Sequence, residues 1–126
     1  MNIGIVDDVA DIGEMLQIAL ELAGHHVSFY CTSTTFLAAA IPEQAPKTPA
    51  PFDLLLIDLI LPEVHSGTQV VQKVKRVYPD VPIIIITAAT LDTIEAALQD
   101  MPGTRVLRKP FKLSDLFTVI QETKFP

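Results

Sequence analysis

The stretch that decides the fold is Phe52–Gly67, FDLLLIDLILPEVHSG. Leu54 to Ile57 are large aliphatics in an unbroken run, with Pro51 before and Pro62 after. A run this short predicts a strand buried on both faces, as in a parallel sheet covered by helices, and not a helix. It delivers one acid, Asp58, at its C-terminal end, and a loop from Pro62 to Gly67 follows. In an open α/β sheet ligands bind outside the carboxyl ends of the strands, so an acid at that edge is placed for chemistry.

Working outward toward the N-terminus, Ile3 to Val6 is another short apolar run, and it ends in Asp7-Asp8. Ile12, Met15, Leu16, Ala19, Leu20 and Ala23 follow the three-and-four spacing of one helical face, and Gly24 stands where a left-handed C-cap stops a helix. Val27, Phe29 and Cys31 alternate, which predicts a half-buried strand with Cys31 as a small buried residue. Thr32-Ser33 offers an N-cap to a helix that turns Phe36, Leu37, Ala40 and Ile41 inward. Residues Pro42 to Pro51 hold four prolines and no large apolar residue, and so predict a stiff, extended connector.

Toward the C-terminus, Ser66 caps a helix with Val70, Val71, Val74 and Val77 inward, ended by Pro79. Ile83 to Ile86 is β-branched throughout, predicts a second doubly buried strand, and ends in Thr87-Ala88-Ala89. A helix with Leu91, Ile94, Ala97 and Leu98 inward is broken by Pro102-Gly103. A short strand near Arg105 to Arg108 closes on Lys109-Pro110, and Ser114 caps a last helix with Leu116, Phe117 and Ile120 inward that frays at 124–126. Strands alternating in this way with helices predict an α/β fold, a parallel sheet covered on both sides in three layers, (βα)5.

The 126 residues suffice for one domain, taken as 1–126, with a core that needs no staples. The single cysteine excludes an internal disulfide and fits a reducing, cytoplasmic setting. The runs LLLI and IIII fall far short of the roughly 20 residues that span a bilayer, and no basic-then-apolar leader precedes the first strand. A formal net charge of -6 with no large Lys/Arg cluster argues against direct nucleic-acid binding.

The strand ends share a pattern: Asp7 and Asp8 after the first, Asp58 after the third, Thr87 after the fourth and Lys109 after the fifth. In a parallel sheet these ends lie on one edge. In a doubly wound order 2-1-3-4-5 the first and third strands are neighbours at the switch point, and Asp7, Asp8 and Asp58 converge there. Crowded carboxylates raise one another's pKa unless a cation neutralises them, and hard oxygen ligands of this kind suit magnesium. Lys109 and Thr87 are then placed to bind the oxygens of a transferring phosphoryl group, with Asp58 as nucleophile.

From Asn2 to about Glu122 the sequence resembles a receiver domain of the two-component response regulators. The matching pieces are IVDD at 5–8, Asp58 after LLLI, Leu61-Pro62 with Gly67 beyond, TAA at 87–89 and KPF at 109–111, each in order and at a strand end. The resemblance supplies the flavodoxin-like strand order 2-1-3-4-5. It implies that Asp58 accepts a phosphoryl group from a histidine kinase or histidine phosphotransfer protein. It implies Mg2+ held by Asp8, Asp58 and the backbone carbonyl of Ile60, with Asp7 assisting through water. It also implies that Lys109 pairs with the phosphoryl group, that Thr87 moves to hydrogen-bond it, and that Lys109-Pro110 is cis. The expected output is a change of contacts with a downstream domain or protein, by a monomer or weak homodimer that is not an enzyme and touches no membrane.

The chain departs from the family pattern in several places. Val106 stands where an aromatic residue is usual, and Gly67 follows Asp58 by nine positions where eight is usual. His65, in that loop, and His25-His26, after a helix-terminal glycine, are read as solvated or dipole-paired groups. Ile60 and Ala89 are apolar where the family tunes hydrolysis of the acyl phosphate, which predicts slow self-dephosphorylation. Val106 keeps open a phosphorylation-independent receiver that acts as an interaction module. A flavodoxin or an aspartate-nucleophile phosphatase fits poorly, because the first loop, DDVADIG, is acidic and no second acid follows Asp58 at the phosphatase spacing.

Overall fold

The structure is a computed structural model that describes residues 1–41, 50–61 and 66–124. Its elements run β1 (Asn2–Val6), α1 (Ala10–Leu22), β2 (His26–Tyr30), α2 (Ser33–Ala40), β3 (Leu54–Asp58), α3 (Gly67–Val77), β4 (Ile83–Thr87), α4 (Leu91–Leu98), β5 (Arg105–Arg108) and α5 (Leu113–Lys124). The strands form one five-stranded parallel sheet of order β2-β1-β3-β4-β5. Both the alternation of strand and helix and the expected order hold. Asp58 and Thr87 belong to their strands as last residues.

Every residue of β3 and β4 is buried, and the two sides of the sheet divide them between separate cores. Leu54, Leu56, Ile84 and Ile86 pack with Ile3 and Ile5 under α1 (Leu16, Leu20) and α5 (Leu116, Ile120). Leu55, Ile57, Ile83 and Ile85 pack with Val6 under α2 (Phe36, Ala40), α3 (Val70, Val71, Val74) and α4 (Ile94). Strands apolar on both faces need helices on both sides to leave water, which is why neither face can carry polar residues. Local signals set the helix ends. Gly24 has φ +96°, and Thr32 Oγ1 accepts from Thr35 N–H at 3.0 Å. Ser66 and Gln69 form a full capping box, and α3 stops at Val77, short of Pro79.

Several side chains differ from expectation. Met15, Ala23, Leu91 and Phe117 are exposed where the spacing placed them inward. In α1 the buried line is Gly13, Leu16 and Leu20, with Gly13 set against the Phe29 ring and Ile12 partly buried beside it. Leu91 is the first residue of a helix capped by Thr90, and Leu113 begins α5 one residue before the expected cap. Asp115, whose Oδ2 accepts from Lys112 N–H at 3.2 Å, does the capping in place of Ser114. Cys31 lies just past β2 and is exposed. The bulk of the proline connector, His65 and the extra loop residue fall at 42–49 and 62–65, outside the described residues.

One core carries a chain of rings: Tyr30 to Phe36 at 5.4 Å, Phe36 to Phe52 at 5.7 Å and Phe52 to Tyr78 at 6.2 Å, closed by Tyr78 Oη donating to Ala40 O at 3.1 Å. Phe36 is the hub and is fully buried. Phe36→Ala is expected to cost about 3–5 kcal/mol, from lost burial, a cavity and two ring contacts. Urea unfolding followed by far-ultraviolet circular dichroism measures it.

Candidate functional site

Sheet register builds the site. Val6 pairs with Ile57 across β1 and β3, so the next residue on each strand, Asp7 and Asp58, stand level at the carboxyl edge. Asp58 in turn pairs with Ile86, and Thr87 with Arg108, which sets Lys109 one step beyond the edge. Lys109 N–H donates to Thr87 O at 2.7 Å, so the base of its side chain is fixed to the end of β4. The Lys109-Pro110 peptide is cis, as expected.

From there the ammonium reaches past β4 and bridges two buried acids. Lys109 Nζ lies 2.9 Å from Asp7 Oδ2 and 3.0 Å from Asp58 Oδ2. The remaining oxygens take backbone donors: Val9 N–H to Asp7 Oδ1 at 2.9 Å, and Ile60 N–H to Asp58 Oδ1 at 3.0 Å. Asp7 is fully buried and Asp58 is 6% exposed, whereas Asp8 is exposed. One carboxylate oxygen from each of Asp7, Asp8 and Asp58 lies within 4.8 Å of the others, a spacing able to hold a cation. The donors are all hard oxygens, open to solvent on the Asp8 side, which fits a magnesium ion that keeps part of its water.

Burial pushes the Asp58 carboxyl above its ordinary 3.8, and the Asp7 charge adds to this. The Ile60 N–H and the Lys109 ammonium pull the other way without cancelling it. For Lys109, burial opposes the charge, but the hydrogen bonds and charges of Asp7 and Asp58 outweigh it and raise its pKa.

Thr87 is fully buried at the end of β4, and its Oγ1 accepts from Ala89 N–H at 3.1 Å. It joins the carboxylate set only through its backbone carbonyl, which holds Lys109. The Ile60 atom that touches Asp58 is its N–H, and its side chain is exposed. Four contacts were not legible in the sequence: the Lys109–Asp7 bond, the two backbone donors, and the close approach of α3. A Cβ on Gly67 would overlap the carbonyl oxygens of Asp58 and Leu59. The only sequence signal for that approach is a glycine at the first position of a capped helix.

Because the folded chain holds the Asp58 proton more tightly than the unfolded one, its stability falls as pH rises from near 3.8 through the raised value. Asp58→Asn cannot ionise and escapes that loss. In metal-free buffer at neutral pH the Asn variant is expected to melt above the parent. The gap should close as pH is lowered toward the ordinary carboxylate range, in paired thermal melts.

Comparison with known proteins agrees with this geometry. The chain matches the family described as the response regulator receiver domain over residues 3–121. It is 34% identical over 122 residues to the transcriptional regulatory protein QseB of Haemophilus influenzae, covering 96% of this chain and 51% of that protein. It is 29% identical over 118 residues to the response regulator receiver protein CpdR of Brucella abortus, covering 94% of this chain and 92% of CpdR. The chain thus spans about half of QseB and nearly all of CpdR. Chemotaxis protein CheY4 of Vibrio cholerae superposes with a TM-score of 0.81 at 27% identity, covering 97% of each chain. A CheY-like receiver domain protein of Methanospirillum hungatei gives 0.80 at 28% identity, covering 96% of this chain and 90% of that one. The chain belongs to the receiver domain family of the two-component response regulators.

Proposed function

We propose that this chain is a phosphoacceptor, modified on Asp58 by a histidine kinase or histidine phosphotransfer protein in a magnesium-dependent reaction, and that it is a switch and not an enzyme. The observation that carries the reading is the state of Asp58, a buried carboxylate at a strand end held by one backbone donor and one ammonium inside a three-acid cluster. In the proposed transfer an Asp58 oxygen bonds to phosphorus. The P–N bond to the donor histidine breaks, and that nitrogen keeps the electron pair. Bound magnesium would neutralise the acids and the incoming phosphoryl oxygens. Asp7, Asp8, Asp58 and the Ile60 carbonyl would hold it.

The chain's own groups supply the rest. Ile60 N–H fixes the carboxylate plane, and Lys109 is the cation adjacent to the charge that arrives. Once Asp58 is an acyl phosphate it no longer offers Lys109 a carboxylate, and the ammonium turns to the phosphoryl oxygens. Thr87 would exchange its Ala89 N–H contact for the new acceptor and draw the start of α4 with it. The modified state must be favoured by a few kcal/mol for the population to shift decisively. The output is a changed contact with a downstream domain or protein, without direct binding to nucleic acid.

Val106 favours a second reading. It is partly buried against the core that holds Ile85 and Ile94, and it has no ring to move when Thr87 moves. A receiver that binds its partner without phosphorylation is consistent with that residue.

Incubation with acetyl phosphate and Mg2+, read by intact mass, is expected to give a single phosphoryl adduct that is absent from Asp58→Asn and from metal-free samples. No adduct on the parent chain would move the assignment to the phosphorylation-independent module. The adduct should also be long-lived, because Ile60 and Ala89 carry no group that can orient an attacking water. Ile60→Gln should shorten its lifetime, measured by mass after removal of the phosphodonor.

A further inference from the structure

We propose that Gly67 is a positioning residue for the carboxylate edge: it lets the first turn of α3 rest directly on the backbone of Asp58 and Leu59, and so fixes where the Asp58 carboxylate stands relative to Asp7 and Asp8. The inference rests on the reading of that cluster as a magnesium site. Gly67 is buried, and a Cβ there would overlap Asp58 O, Leu59 O and Leu59 Cα, all main-chain atoms that no rotamer change can remove. Gly67 N–H donates to Leu59 O at 3.1 Å, which ties the helix to the strand end.

The turn that makes this contact is itself locked. Gln69 N–H donates to Ser66 Oγ at 3.3 Å, and Ser66 N–H donates to Gln69 Oε1 at 3.0 Å, so the helix start cannot fray away cheaply. On the strand side, Ile60 N–H grips Asp58 Oδ1 at 3.0 Å. Contact therefore runs from α3 through the Asp58–Leu59 backbone and the Ile60 peptide to the carboxylate. A methyl group at 67 must push either the helix or the strand end, and Asp58 moves against Asp7, which Val9 N–H and Lys109 hold in place. The other glycines differ: Gly13 faces the Phe29 side chain, Gly4 has ordinary contacts, and Gly24 and Gly103 have open space.

Residues that orient metal ligands from outside typically alter metal affinity by about 10–100-fold when changed. The test is magnesium affinity by calorimetric titration, a readout suited to a chain with no tryptophan. It compares the parent, Gly67→Ala and Ile120→Ala. Ile120 is buried near Met1, Asp53, Leu54 and Pro82 at the opposite end of the sheet, so its variant loses stability without touching the site. Gly67→Ala is expected to bind magnesium about tenfold more weakly, and Ile120→Ala to bind as the parent does. Parent-like affinity in Gly67→Ala overturns the inference and leaves the magnesium site standing. A parent chain that binds no magnesium removes the site and this inference with it. If Gly67→Ala does not fold, exchange of the Gly67 amide in the parent decides: saturating magnesium should slow it, and an unchanged rate overturns the proposal.

Discussion

The structure depends on one ammonium ion placed between two buried carboxylates. Asp7 and Asp58 stand level at the sheet edge, out of water, and Lys109 is bonded to both. Buried acids without a partner are strongly unfavourable, so the edge would be hard to assemble around neutral apolar residues alone. The compensation is incomplete, since the Asp58 carboxyl remains above its ordinary range. A group held under that tension gains more from a metal ion or a covalent change than a well-solvated acid would.

Placing that ammonium requires the whole topology. β5 is separated from β3 by β4, and Lys109 reaches the acids only because its backbone is tied to Thr87 and its side chain spans the intervening strand end. The parallel order puts β1 beside β3, and register then brings Asp7 to the level of Asp58. Helices close both faces, so the carboxyl edge is where the strands meet solvent. Fold and site are one construction: β3 and β4 are buried along their whole length, and each ends in one polar residue, Asp58 or Thr87, at the carboxyl edge.

Much of this was legible in the sequence. The runs at Leu54–Ile57 and Ile83–Ile86 announce doubly buried strands, because an aliphatic on every position leaves no face for water. The positions of Asp7, Asp8, Asp58 and Thr87 were readable for the same reason, each standing where an apolar run stops, whereas Lys109 follows the mixed run Arg105–Arg108 and was placed by the Lys109-Pro110 close of that short strand. The order of the strands was not readable from spacing and came from the resemblance. Helix faces were read less well. Met15, Leu91 and Phe117 sit at the margins of their apolar stripes, and how far a stripe is covered depends on the neighbouring layer. The burial of Cys31 was misread because alternation shows which face a residue takes but not where a strand ends. Contacts made by backbone, such as Ile60 N–H on Asp58 and the approach of α3 at Gly67, leave almost no mark in side-chain pattern.

The aliphatic run of β3 raises a problem of its own. In most sheets a slip of one residue is forbidden because it turns apolar groups out to water and polar groups in. Here Leu54, Leu55, Leu56 and Ile57 alternate between two equally dry cores, and exchanging them would violate no polarity rule. What forbids the slip is the acid at each end. Asp53, exposed and accepting from Asn2 N–H at 2.8 Å, would be drawn into one core by a shift in one direction, and Asp58 into the other core by a shift in the opposite direction. Either move strands a charge in an apolar interior at a cost of several kcal/mol. The two carboxylates fence the strand into register, so the acid at the centre of the candidate site also aligns the centre of the sheet.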